Sequence, residues 1–241
     1  MKIGILECGP VADQLQPRYG TYGTVFENML RPHLPDTDFE KYVVYDGNIP
    51  SRPDAADAWL MTGSKFGAYE DHDWIPPLED FLRRTYAEKI PIVGICFGHQ
   101  ILAQALGGKV MKSDKGWGLG AQSYDVIKTP AWMADAGQTF SSHAVHQDQV
   151  VALPTDANVL ATSPFCEYAA LAYGDTDLPD AITVQPHPEL SAEFIEDLVE
   201  VRRGSVFDEA TADAALQSVG TPVNNDDWAK WIATFFRTRL A

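Results

Sequence analysis

The segment Gly94-Ile-Cys-Phe-Gly-His-Gln100 places the tightest constraint on what this chain can fold into. Ile90, Ile92, Val93 and Ile95 make a short apolar run of the length of a strand buried in a parallel sheet. Ile101 to Leu106 then reads as helix, and Gly107-Gly108 stops it. Cys96 therefore sits in a turn that leads from a buried strand into a helix N-terminus. Backbone N–H groups and the helix dipole there stabilise a thiolate, and Gly94 and Gly98 leave room for a sharp turn and for a substrate to approach the sulfur. A free cysteine taken at random behaves as a small buried hydrophobe. The glycine bracket points instead to a nucleophile.

Around this unit the periodicity alternates in the manner of an open α/β sheet. Strands are predicted at Lys2–Leu6, Lys41–Tyr45, Ala58–Met61 and Ile92–Ile95, and helices at Tyr22–Arg31 and Leu78–Glu88. Right-handed crossovers between such strands gather their C-terminal ends, and with them a site, along one edge. From Lys109 to about Ala172 short alternating runs such as Ser123–Lys128 and Gln149–Leu153 predict a β-rich insertion or flanking sheet. Beyond residue 190 the tail reads as three helices, at Ala192–Arg202, Asp208–Ser218 and Asp226–Arg239. The expected division is a catalytic unit over 1–190 and a helical extension over 191–241 packed on it.

A cysteine nucleophile needs a base, and Ala181-Ile-Thr-Val-Gln-Pro-His-Pro-Glu189 supplies one. Ile182–Gln185 reads as a strand, and Pro186 and Pro188 hold the following chain extended. His187 and Glu189 then point to the same side. A carboxylate two residues from an imidazole accepts its N–H, fixes the tautomer and steadies the imidazolium. A lone His-x-Glu is usually a surface pair of no consequence. Together with the cysteine turn it forms a nucleophile, a base and an orienter.

These residues carry a resemblance. Gly94-x-Cys96-x-Gly98-x-Gln100 and His187-Pro188-Glu189 resemble the two signatures of class I glutamine amidotransferase domains, over roughly residues 1 to 190. Thr62-Gly63-Ser64 stands where that family has an oxyanion loop, and Val145-His146-Gln147-Asp148 is similar to the Ser-His-Gly-Asp segment of its guanylate-forming members. The loop lacks the usual Gly-Gly-Pro or Gly-Pro-Gly, and Gln147 replaces a glycine. Both departures bear on substrate identity rather than on the chemistry. The resemblance implies an open, mainly parallel, flavodoxin-like sheet flanked by helices, with a small β-rich flank and a helical C-terminal tail. It implies Cys96, His187 and Glu189 as the catalytic set, backbone N–H groups of Gly63 and Phe97 for the oxyanion, and Gln100, Val145 and Gln147 for substrate. No metal or cofactor is called for.

Other features fit bland readings. Gly116-x-Gly118-x-Gly120 neither ends a buried strand nor opens a helix, so a turn or hairpin is expected rather than a dinucleotide site. Asp71-His-Asp73 lies in a polar loop with too few ligands for a metal. His99 is expected to hydrogen-bond structurally, and His146 and Asp148 to support the site from behind. The loop from Glu7 to Gly20, with Gln14, Gln16, Arg18 and Tyr19, is placed where it can reach a substrate. Cys8, Cys96 and Cys166 are an odd number without a CxxC pattern, which disfavours a disulfide framework or a structural zinc. A formal charge of −16 repels nucleic acid. No stretch approaches the roughly 18 apolar residues of a membrane span, and the N-terminus is too short for a signal peptide, so the cytoplasm is the expected compartment.

The expected activity is hydrolysis of the γ-carboxamide of glutamine through a Cys96 thioester, releasing ammonia to an acceptor or a separate synthase subunit. The roughly 50 residues after Glu189 hold no ATP-binding loop that would supply such a synthase in the same chain. The alternatives are a stand-alone γ-glutamyl hydrolase or peptidase and, against the intact Cys, His and Glu, a catalytically silent binding subunit.

Overall fold

The computed structural model describes residues 1–241. The chain opens with β1 (Lys2–Glu7), followed by a short helix α1 (Gln16–Tyr19), helix α2 (Tyr22–Leu30) and strand β2 (Asp38–Val43). Next come β3 (Ala58–Met61), α3 (Ile75–Ala87), β4 (Ile92–Ile95) and α4 (Phe97–Ala105). The β-rich stretch contributes β5 (Lys109–Lys112), β6 (Gly118–Val126), β7 (Thr139–His146), β8 (Asp148–Ala152), β9 (Ala157–Thr162) and β10 (Ala170–Tyr173). Strand β11 (Ala181–Val184) and helices α5 (Ala192–Arg202), α6 (Glu209–Ser218) and α7 (Asn225–Arg239) complete the chain.

Nine strands form one sheet in the order β2-β1-β3-β4-β11-β10-β9-β6-β7. The first five run parallel, and β10, β9, β6 and β7 continue the sheet antiparallel. Strands β5 and β8 pair separately as a two-stranded ribbon. The β-rich flank is thus mostly an extension of the main sheet. Every residue of β3, β4 and β11 is buried, which is why each reads as a continuous apolar run.

Most predicted boundaries shift by at most a single residue, and three elements shift further. Strand β2 lies at Asp38–Val43 rather than at 41–45, because it is an edge strand with mixed exposure and no apolar run to mark it. Helix α3 starts at Ile75 rather than at 78, because Pro76 and Pro77 occupy a first turn where no N–H is required. Helix α4 begins directly after Cys96, four residues before its apolar stretch.

Side chains alternate along the central strands into two cores. One face gathers Ile3, Ile5, Val93 and Ile95 with Trp228, Trp231, Phe235 and Phe236 of α7. The other gathers Leu6, Trp59, Met61 and Ile92 with Phe81 of α3 and Ile101 and Leu102 of α4. A third cluster joins Val11, Leu15 and Tyr22 to Phe194, Leu198 and Phe207 of the tail. Two of the tail helices, α5 and α6, are capped, Ser191 and Asp208 accepting from the N–H groups of Phe194 and Thr211. No helix is long and apolar enough to cross a membrane.

Candidate active site

Strand β4 ends in a forced turn at Cys96, whose backbone takes φ 53° and ψ −102°. A non-glycine residue reaches that region only when its surroundings impose it. The constraint is visible on both sides. The Cys96 N–H remains in the sheet, donating to the Val184 carbonyl at 2.9 Å, while its carbonyl already accepts the first helical bond, from Gln100 N–H at 3.1 Å. The chain doubles back so tightly that a Cβ on Gly94 would lie 2.5 Å from the Gly98 carbonyl oxygen. A Cβ on Gly98 would in turn lie 2.7 Å from Met61 Cβ. Both flanking glycines are therefore steric requirements of the turn. Cys96, otherwise buried, lines a cavity of about 430 Å³.

Strand β11 lies directly beside β4 and delivers the second component. Past its end, His187 is pinned by its N–H to the His143 carbonyl at 2.7 Å, a bridge between the loop and β7. His187 Nδ1 meets Glu189 Oε1 at 2.6 Å, and both side chains are buried. Burial alone would disfavour the imidazolium. The Glu189 carboxylate and the neighbouring Cys96 sulfur outweigh it and hold the imidazole well above its ordinary range. A proton-bearing base beside a sulfur, with its far nitrogen held by a carboxylate, is chemistry suited to attack on a carbonyl.

Two backbone donors lie close to Cys96. Phe97 opens α4, so its N–H has no acceptor within the helix. Gly63 follows β3, and its N–H is likewise without an acceptor in the protein. The Gly63 loop is held by Thr62 Oγ1, which accepts from Cys8 N–H at 3.0 Å, and by Ser64 Oγ, which donates to the Cys8 carbonyl at 2.8 Å. A Cβ on Gly63 would lie 2.7 Å from His187 Cε1 and 3.7 Å from Cys96 Cβ. Cys96, His187, Glu189, Gly63 and Phe97 are thus brought together from separate segments of the chain.

Gln100, Val145 and Gln147 all line the cavity, together with His146 and Asp148. The Gln100 side-chain amide is already engaged, donating to the Asp148 carbonyl at 2.8 Å and to Gln185 Oε1 at 3.1 Å. Burial keeps His99 and His146 neutral, pulling each down to about 3. His99 Nδ1 bonds Thr183 Oγ1 at 2.8 Å, a structural role as expected. The Asp148 carboxyl, half-buried, is raised above its usual range by desolvation and accepts from the Tyr69 hydroxyl. The remaining thiols are shut away. Burial pushes Cys8 far up and Cys166 up to about 12.

One placement is corrected. None of Gln14, Gln16, Arg18 and Tyr19 borders the cleft over Cys96. Gln16 Nε2 bonds back to the Val11 carbonyl, and Arg18 and Tyr19 both bind Asp197 on α5. Leu15 and Val11 belong to the core shared with that helix, so packing turns the segment away. Conversely, Lys65, Tyr69, Lys112, Trp117, Arg202 and Val206 line the cleft, although sequence reasoning does not find them. No motif marks them, since they come together only in the folded chain.

Known proteins share both the fold and the sequence pattern. Residues 66–196 match the family model for glutamine amidotransferase class-I. Gamma-glutamyl peptidase 3 of Arabidopsis thaliana is 30% identical over 84% of this chain and 83% of its own. A glutamine-hydrolyzing GMP synthase subunit of Methanothermobacter thermautotrophicus is 37% identical over a shorter stretch, 42% of this chain and 53% of its own. The crystal structure of a glutamine amidotransferase from Thermotoga maritima superposes with a TM-score of 0.77 over 100% of this chain and 98% of that one, at 18% identity. The chain belongs to the class I glutamine amidotransferase family.

Proposed function

We propose that this protein is a cysteine-dependent hydrolase of the γ-glutamyl carbonyl bond, acting on γ-glutamyl compounds through a thioester on Cys96. The observation that carries the reading is the strained Cys96 turn, set beside the buried His187–Glu189 pair and two free backbone N–H groups. Cys96 attacks the γ-carbonyl carbon, forming an S–C bond. The oxygen takes up negative charge and receives the N–H groups of Gly63 and Phe97, each such donor contributing about 3 kcal/mol to the barrier reduction. The C–N bond then breaks as His187 gives its proton to the departing nitrogen. Water next adds to the thioester with His187 accepting its proton, the S–C bond breaks, and glutamate leaves with the thiol restored. Glu189 holds the imidazole through both halves.

Support for a γ-glutamyl peptide or amide over free glutamine comes from the size of the cleft and from the long match to a protein named as a γ-glutamyl peptidase. The shorter match to a GMP synthase subunit favours a second reading, in which the chain hydrolyses glutamine for a separate synthase. Glutamate release from glutamine and from γ-glutamylglycine separates the two. The expectation is faster turnover of the dipeptide without any added protein. Turnover of glutamine alone, rising when a partner chain is supplied, would favour the second reading. In either case a glutamine-like chloroketone is expected to label Cys96. His187→Ala should reduce turnover by about three orders of magnitude or more. An adduct confined to Cys8 or Cys166 would overturn the assignment.

A further inference from the structure

Arg202 and Arg203 are adjacent, yet their surroundings differ completely. Arg203 is bound by Glu200, Glu209 and Asp213. Arg202, half-buried at the end of α5, has no carboxylate partner, although acidic residues outnumber basic ones by 34 to 18. It lines the cleft over Cys96. Its position is fixed by a turn in which its carbonyl accepts from Val206 N–H at 2.9 Å and Phe207 N–H at 3.2 Å, with the Phe207 ring buried against Trp117. Lys65 and Lys112 line the same cleft, also without ion-pair partners, Lys65 Nζ lying 5.3 Å from the centre of the Phe66 ring. Two carboxylates lie there as well, Asp148 accepting from Tyr69 and Glu70 hydrogen-bonded to His72. Three cationic side chains thus outnumber two acidic ones around the cleft, on a strongly negative protein.

Arg202 and Lys65 have a second property. Both also border the small cavity that His187 lines, with Ser64 and Val145. His187 hands its proton to the departing nitrogen in the mechanism above, so whatever that nitrogen carries enters on the His187 side. We propose that Arg202, assisted by Lys65, binds a carboxylate on the amine half of the substrate. The substrate class is then γ-glutamyl amino acids or peptides with a free carboxylate near the scissile nitrogen. This rests on the hydrolase reading. Glutamine, which releases ammonia, gives Arg202 nothing to hold on that side.

The test compares γ-glutamylglycine with γ-glutamylglycinamide, which differ by one charge next to the same scissile bond. The wild-type protein is expected to favour the acid in kcat/KM by roughly tenfold or more, the scale of one charge-assisted contact. Arg202→Gln should bring the ratio to within about twofold of unity, and Arg202→Lys should give an intermediate value. Arg203→Gln, which disturbs only the neighbouring surface cluster, should keep the wild-type ratio. A wild-type ratio near one, or a ratio that survives Arg202→Gln, would overturn the assignment while leaving the hydrolase reading in place. The wild-type measurement decides even where a variant fails to fold. Failure to hydrolyse either compound or glutamine would instead remove the hydrolase reading itself.

Discussion

At Gly63 the missing side chain matters as much as any residue present. A methyl group there would meet His187 Cε1 at 2.7 Å, and the imidazole, held by Glu189 on a backbone pinned to the His143 carbonyl, has little room to retreat. Gly63→Ala is expected to lower kcat by about a hundredfold, since small displacements of a reacting group cost that much. Its thermal midpoint should move little, because the loop is held by Thr62 and Ser64. Glutamate release and a melting curve check both halves, and an unchanged rate would mean the crowding is relieved elsewhere. Cys96, His187 and Glu189 were legible in the sequence because two local patterns, the glycine-bracketed cysteine and the proline-flanked His-x-Glu, give each other meaning. His143 was not. Its carbonyl positions His187 and its ring Nδ1 bonds the Leu190 carbonyl at 2.9 Å, yet in sequence it is one residue of an ordinary alternating strand. Arg202 was hidden for a similar reason, being distinguished from Arg203 only by what surrounds it.

Among the elements, α7 covers one face of the central sheet. It brings Trp228, Trp231, Phe235 and Phe236 into the core that contains Ile3, Val93 and Ile95. Asn224, just before it, bonds edge strand β7 twice: its side-chain oxygen accepts from Ser141 N–H and its own N–H donates to the Ser141 carbonyl, each at 2.8 Å. Phe236 is fully buried, and Phe236→Ala should cost about 3–5 kcal/mol of stability, read as a shift in the urea midpoint. A loss under about 1 kcal/mol would show that α7 is dispensable to the core. The inner parallel strands β3, β4 and β11 were readable because burial on both faces writes them as apolar runs, and helix α5 because its N-cap is local. The extension of the sheet through β10, β9, β6 and β7 was not, since a strand's neighbours are set by long-range pairing that alternation does not encode.

For the molecule as a whole, acid sensitivity follows from the two neutral histidines. His99 and His146, held to about 3, take up protons on unfolding whenever the pH lies between about 3 and their ordinary 6.5. The unfolded chain then binds more protons than the folded one, so stability falls as pH drops through that window. His187, raised above 6.5, gains stability only until its unfolded imidazole is fully protonated below that value, so one raised histidine offsets a small part of the loss from two lowered ones. Urea midpoints at pH 7 and pH 5, above the main carboxylate range, should differ, with the lower value at pH 5. His99→Asn should remove part of that difference. Equal midpoints for the wild-type protein would show that burial does not exclude the proton.

The backbone at Cys96 carries a consequence for descent. A positive-φ residue at that angle costs on the order of 1–3 kcal/mol, and glycine there would escape most of the penalty. Because drift favours whatever eases a marginal fold once selection for turnover ceases, a lineage released from chemistry would exchange this cysteine for glycine early. Under the proposed chemistry, the cysteine at this angle is a strain that only turnover justifies, written in the conformation of one peptide rather than in the identity of any ligand.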